Sequence, residues 1–164
     1  MGVMLLRIKN LIVEDFVNYK EPSMFLSSCF CDWKCCKEAQ VPISICQNAA
    51  LSRAPILNCP DKKIFDIYIK SPITKAIVIG GLEPLLQKEE VISLINFFRA
   101  RGVDDTFVIY TGYKEEECKD FLAQISGKNV VMKFGRFLPN DKGKHYDEIL
   151  GVSLISSNQY GRKF

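Results

Sequence analysis

The chain reads as an α/β protein built on a mostly parallel sheet. Two observations give that class. Three short apolar runs, 75 to 80 (KAIVIG), 106 to 110 (TFVIY) and 129 to 134 (NVVMKF), have the continuous hydrophobic character of strands covered on both faces. Between them lie two segments with helical spacing, 85 to 101 and 114 to 126. Strand–helix–strand alternation with short connections implies βαβ units and parallel pairing.

Taken in order, residues 4 to 13 read as a first strand, with Leu6, Ile8 and Leu11 to Val13 supplying β-tolerant side chains. Glu21, Pro22 and Ser23 signal a turn, and Met24 to Leu26 form a short strand leading into a cysteine-rich loop. Pro55 and Pro60 break the chain after that loop. Asp61 is placed to cap a helix over 62 to 70, with Ile64, Ile67 and Tyr68 on one face and Pro72 as its stop. In the helix over 85 to 101, Val91, Leu94, Ile95 and Phe98 share a stripe and Gly102 closes it. The helix over 114 to 126 opens on Glu115, Glu116 and Glu117, which suit a helix N-terminus, and Cys118, Phe121, Leu122 and Ile125 form its buried stripe. The stretch 138 to 147 reads as a surface loop, and a late strand is expected over 149 to 154.

At 164 residues the chain is long enough for one domain, 1–164, with a real core. Its net charge of +3 comes from interspersed residues without blocks, which argues against nucleic acid or a membrane surface as partner. No apolar run reaches the ~20 residues of a membrane helix. The opening MGVMLL is interrupted by Arg7, Lys9, Glu14 and Asp15, so no secretory signal is expected and a cytoplasmic setting follows. Thiols in such a setting serve metal or redox chemistry more than cross-linking.

Five of the seven cysteines fall in residues 29 to 48: Cys29, Cys31, Cys35, Cys36 and Cys46. Such a density of thiols among Ser, Lys and Gln suits a soft metal centre, either zinc or iron–sulfur. Zinc sites usually pair cysteines with two residues between them, a spacing missing here, and the one histidine, His145, sits far along the chain in a polar stretch that suits solvation better than catalysis. Cys118 reads as a small buried hydrophobe and Cys59 carries no signal. Trp33, inside the first cysteine gap, could shield a cluster.

Cys31-x3-Cys35, followed by Cys46-Gln47-Asn48, resembles the cluster motif of radical S-adenosylmethionine proteins of the anaerobic ribonucleoside-triphosphate reductase activating type. Its second gap is ten residues where the family has two. Gly80-Gly81-Leu82-Glu83-Pro84 resembles the family's GGEP turn with Leu82 inserted, and the stretches Ile109 to Tyr113, Lys133 to Phe137 and Ser156 to Gln159 resemble three further elements in the same order. The resemblance implies a partial (β/α) barrel with the cluster loop at the C-terminal ends of the strands. It implies a 4Fe-4S cluster on Cys31, Cys35 and Cys46, with Cys29 or Cys36 as a replacement for one of them. It implies S-adenosyl-L-methionine bound by Gly80, Gly81, Glu83, Pro84, Thr111, Gly112 and Asn158. The bland readings are a helix-start carboxylate for Glu83, a tight turn for Thr111 and Gly112, and a local cap for Asn158. The activity implied is a 5′-deoxyadenosyl radical that installs a glycyl radical on the reductase catalytic subunit, with a flavodoxin- or ferredoxin-like electron donor. Two rivals stand beside it: a non-catalytic iron–sulfur or zinc protein, and a radical enzyme acting on a different protein or peptide.

Overall fold

The computed structural model describes residues 4–164. Four parallel strands form the middle of a six-stranded sheet: β3 (Ser23–Ser28), β5 (Ala76–Gly81), β6 (Thr106–Tyr110) and β7 (Val130–Phe134). Antiparallel strands flank them, β2 (Asn10–Asp15) beside β3 and β10 (Tyr160–Lys163) beside β7. The order is β10-β7-β6-β5-β3-β2, so the sheet is open with two edges, and closure into a barrel is not seen. The mixed α/β class and the mostly parallel sheet stand as expected.

Alternation along the strands divides the interior. Ile77 and Ile79, Phe107 and Ile109, and Val130, Met132 and Phe134 face the helices α2 (Asp61–Lys70), α3 (Lys88–Arg99) and α4 (Lys119–Ile125). Ala76, Val78, Val108 and Val131 face the other way, against Tyr19, Leu150 and Leu154. Both faces are covered, which is why these strands read as unbroken apolar runs. The helix-side core centres on Phe98, fully buried, with Phe65, Tyr68 and Phe107 edge-on at 5.1, 5.3 and 5.3 Å between ring centroids.

Several boundaries differ from the sequence reading. The first strand is two: β1 (Leu5–Ile8) pairs with β4 (Leu57–Pro60) in a separate ribbon, and β2 joins the main sheet. Asp61 is not a cap but the first helical residue, with Pro60 before it. Its carboxyl is buried and accepts from Ser93 Oγ at 2.6 Å. The expected helix over 85 to 101 starts as a 3₁₀ turn, Pro84–Gln87, and continues as α3, and the helix over 114 to 126 is split at Cys118 into the turn Glu115–Glu117 and α4. The expected surface loop and late strand hold a small hairpin, β8 (His145–Asp147) with β9 (Val152–Leu154). Asp147 shapes its turn by accepting from Leu150 N at 2.9 Å. His145 is half-buried and away from the cavity at the C-terminal ends of the parallel strands: its Nδ1 lies 2.9 Å from Gly143 O and its Nε2 2.9 Å from Gln159 O, so the ring contacts backbone carbonyls as well as solvent. No helix among the described residues is long and apolar enough to cross a membrane.

Truncating Phe98 to alanine would remove the ring that three aromatic neighbours pack against. The expected loss is about 3–5 kcal/mol of unfolding free energy, read from urea denaturation. A loss below about 1 kcal/mol would show that the helix-side core is not centred there.

Candidate iron–sulfur site

The parallel strands β3, β5, β6 and β7 all end on one side, and a cavity of about 320 Å³ opens there. The cysteine loop leaves β3 and supplies one wall. Cys31, Cys35 and Cys46, the three thiols expected to act together, all line this cavity, as does Cys36. Cys29 does not. It is buried, and its N–H donates to Gln87 Oε1 at 2.7 Å.

Local backbone conformation sets the thiols. Trp33 has a left-handed φ of 59° and starts α1 (Lys34–Ala39); Gln40 ends that helix with φ 56°. Two non-glycine residues held in that region mark a loop constrained by its surroundings. Trp33 N donates to Cys31 Sγ at 3.3 Å, Phe137 N to Cys35 Sγ at 3.3 Å and Asn48 N to Cys46 Sγ at 3.5 Å. Burial pushes the Cys31 thiol up to about 12, opposed by the Trp33 amide and reinforced by the Glu83 charge. Burial also raises Cys35, opposed by the Phe137 amide and by Arg136 and Lys133. Thiols raised in this way ionise when a cation arrives to be bound.

The turns after β5 and β6 form the facing wall. Gly81 (φ 84°), Glu83, Thr111 and Gly112 line the cavity. Glu83 is 4% exposed and its carboxyl is fully engaged. Leu85 N donates to it at 3.0 Å, Thr111 Oγ1 at 2.8 Å and Gly112 N at 2.9 Å. Burial pushes this carboxyl up while the three donors oppose that. Glu83 therefore holds the β5 and β6 turns together, and the Thr111 hydroxyl is spent on it. Gly112 packs closely on the loop: a Cβ there would stand 3.1 Å from Cys35 Sγ, which would have to give by a few tenths of an ångström.

Three expected residues lie off the cavity wall. Gly80 is one residue too early, its carbonyl accepting from Ser28 Oγ at 3.0 Å. Pro84 begins the 3₁₀ turn. Asn158 is exposed and donates to Arg136 O at 3.1 Å, which suits the capping reading, whereas its neighbour Gln159 does line the cavity.

Two basic residues belong to the site although residue type alone did not single them out. Lys133, on β7, lines the cavity with its ammonium 3.5 Å from Gly135 O, and among the described residues no carboxylate stands within ion-pair distance of it. Burial lowers it to about 8, opposed by Cys35 and Glu83. Arg136, 3% exposed, donates to Gly112 O at 2.7 Å and pairs with Glu38 on α1 and with Glu117, so it ties the cysteine helix to the end of β6. The signal for both lay in the stretch Lys133 to Phe137. Cys59 and Cys118 sit in the helix-side core, as read for Cys118.

The chemistry of the donors is soft. Among the described residues no three His, Cys, Asp or Glu side chains are gathered as a single metal ion requires. A zinc ion draws four ligands to about 2.3 Å of one point. Thiolates are the usual ligands of iron–sulfur clusters, and four of them line this cavity.

Arg136→Met would leave Glu38 without its ion-pair partner and Glu117 with only the longer contact to Lys34 at 3.5 Å and the Lys114 amide, and about 1–3 kcal/mol of stability should be lost, since both carboxylates reach solvent. The Arg136 guanidinium depresses the folded Glu117 carboxyl from 4.5 to about 2. That contribution is therefore complete above about 4.5 and is lost as pH falls toward about 2. Urea titrations across that window should show a steeper acid loss for the parent chain than for the variant; equal slopes would refute the pairing.

No curated protein and no solved structure matches the chain. Residues 23–153, which carry the cysteine loop and all four parallel strands, match the family model of the 4Fe-4S single cluster domain, and the chain belongs to that family.

Proposed function

We propose that this chain is a radical enzyme: a 4Fe-4S cluster on Cys31, Cys35 and Cys46 serves the reductive cleavage of S-adenosyl-L-methionine, and the resulting 5′-deoxyadenosyl radical installs a glycyl radical on the catalytic subunit of an anaerobic ribonucleotide reductase. The observation that carries it is one cavity, at the C-terminal ends of parallel strands, lined together by those three thiols and by Gly81, Glu83, Thr111 and Gly112. Open α/β sheets bind ligands at this end of their strands. When bound, the cluster supplies an electron and an iron without a protein ligand.

The protein's own residues then have distinct tasks. Glu83 fixes the two turns that face the thiols. The positive φ of Gly81, 84°, shapes the turn that lines the cavity, and its missing Cβ leaves room for Leu51. Lys133 offers the cavity an ammonium without an anion, which suits the carboxylate of the methionine moiety. Trp33 and Phe137 share the cavity wall with the thiols. Around the mouth, Val17 and Ile155 are exposed at 74% and 42% and line the cavity as well, which suits an opening completed by a protein partner. A flavodoxin- or ferredoxin-like donor in the reducing cytoplasm would deliver the electron.

The test is anaerobic reconstitution with iron and sulfide, reduction, and addition of S-adenosyl-L-methionine. 5′-Deoxyadenosine should form, and should disappear in Cys31→Ala, Cys35→Ala and Cys46→Ala together with the bound iron; a reconstituted protein that makes none overturns the reading. Lys133→Met should weaken equilibrium binding of S-adenosyl-L-methionine by about ten- to a hundredfold, the range of a charge-assisted hydrogen bond. An unchanged Kd would remove Lys133 from the site.

A further inference from the structure

Four thiols line the cavity, one more than an open-sited cluster uses. Cys36 is the fourth. It is 2% exposed, yet it belongs to neither hydrophobic core, unlike Cys59 and Cys118. Its sulfur makes no hydrogen bond among the described residues, whereas Cys31, Cys35 and Cys46 each accept one and Cys118 donates one to Lys114 O at 3.3 Å. Cys36 follows Cys35 on α1, so its side chain leaves the helix about 100° further round, and both thiols still line the cavity. Cys36 is thus a buried thiol on the wall of the cavity that the three expected ligands share, outside both apolar clusters and without a hydrogen-bond partner among the described residues.

We infer that Cys36 supplies a fourth thiolate to the same cluster, occupying the iron that Cys31, Cys35 and Cys46 leave without a protein ligand. This rests on the cluster assignment proposed above. Ligation is an exchange with no electron transferred. The thiol releases its proton to solvent as the sulfur–iron bond forms, and regains one when an incoming amine and carboxylate displace it. The protein then has a closed form with four thiolates and an open form with three, and a small-molecule ligand competes with Cys36 for one position.

The full chain, reconstituted anaerobically with no other ligand added, tests this by electron paramagnetic resonance after mild ferricyanide oxidation. A cluster with one iron outside thiolate ligation sheds that iron and gives a three-iron signal; one held by four thiolates does not. The parent chain should keep four irons per cluster, while Cys36→Ala should convert severalfold more to the three-iron form. Cys36→Ser should move the same way if the alanine variant folds poorly, and Cys29→Ala should behave as the parent. The alanine variant should also bind S-adenosyl-L-methionine more tightly. Equal conversion in the parent and in both Cys36 variants overturns the inference, as does loss of assembly in Cys36→Ala with none in Cys46→Ala, which would make Cys36 one of only three ligands. Failure of the cluster to depend on Cys31 or Cys35 would instead sink the assignment on which the inference rests.

Discussion

One buried carboxylate organises the site. Glu83 sits where water cannot reach it, and a carboxylate there is costly unless donors surround it. Three donors do, two of them from the turn after β6. The Glu83 N–H in turn donates to Phe30 O at 2.7 Å, which fixes the start of the cysteine loop to the end of β5. Removing the carboxylate would strand its donors in a dry place, so the arrangement is more strongly enforced than the net value of any one hydrogen bond suggests. The thiols are therefore positioned by a polar contact outside their own loop.

The same logic continues outward. Gly112 gives its N–H to Glu83 and its carbonyl to Arg136, and Arg136 holds Glu38 on the cysteine helix. A closed circuit thus runs from β5 through β6 and β7 back to α1. Cys35 lies inside it, against Gly112 and under the Phe137 amide. Any side chain at 112 would press on the sulfur, so the glycine there answers to packing, and its φ is not one that demands glycine.

Where burial on both faces governs the pattern, the sequence was readable: β5, β6 and β7 and the stripe of α3 fall within a residue or two of their expected places. What pairs over long range with little apolar content was not. β10 is a polar edge strand, β4 pairs with a segment some fifty residues earlier, and β8 lies in a stretch with no strand pattern at all. Their partners are set by the fold, and no local period announces them. The site divides in a similar way. The three thiols and the turns at 81–83 and 111–112 were legible because residue type and order carry the chemistry. Gly80, Pro84 and Asn158 were named through the motifs that contain them, and neighbouring residues of a turn point in different directions, so these three lie off the cavity wall. Lys133 and Arg136 matter through their surroundings, one unpaired in a cavity and the other paired twice, which a string of letters does not record.

The widened cysteine gap is the chain's largest departure from the motif it resembles, and physical chemistry explains why the third thiol still arrives. Lengthening a loop raises its closure entropy only as the logarithm of its length. The inserted residues recover order locally: α1 ends at Gln40, a 3₁₀ turn forms over Ile43–Ile45, and Cys46 N donates to Ile43 O at 2.9 Å. The return is anchored beyond the thiol. Lys9 donates to Ser52 O at 3.1 Å and also to Ala54 O, and Leu51 packs so near Gly81 that a Cβ there would come within 2.9 Å of it. Gly81 thus serves two demands at once, the positive φ of its turn and the room for the returning segment. Spacing in sequence sets only the minimum reach between ligands; the anchors at either end decide where the sulfur sits.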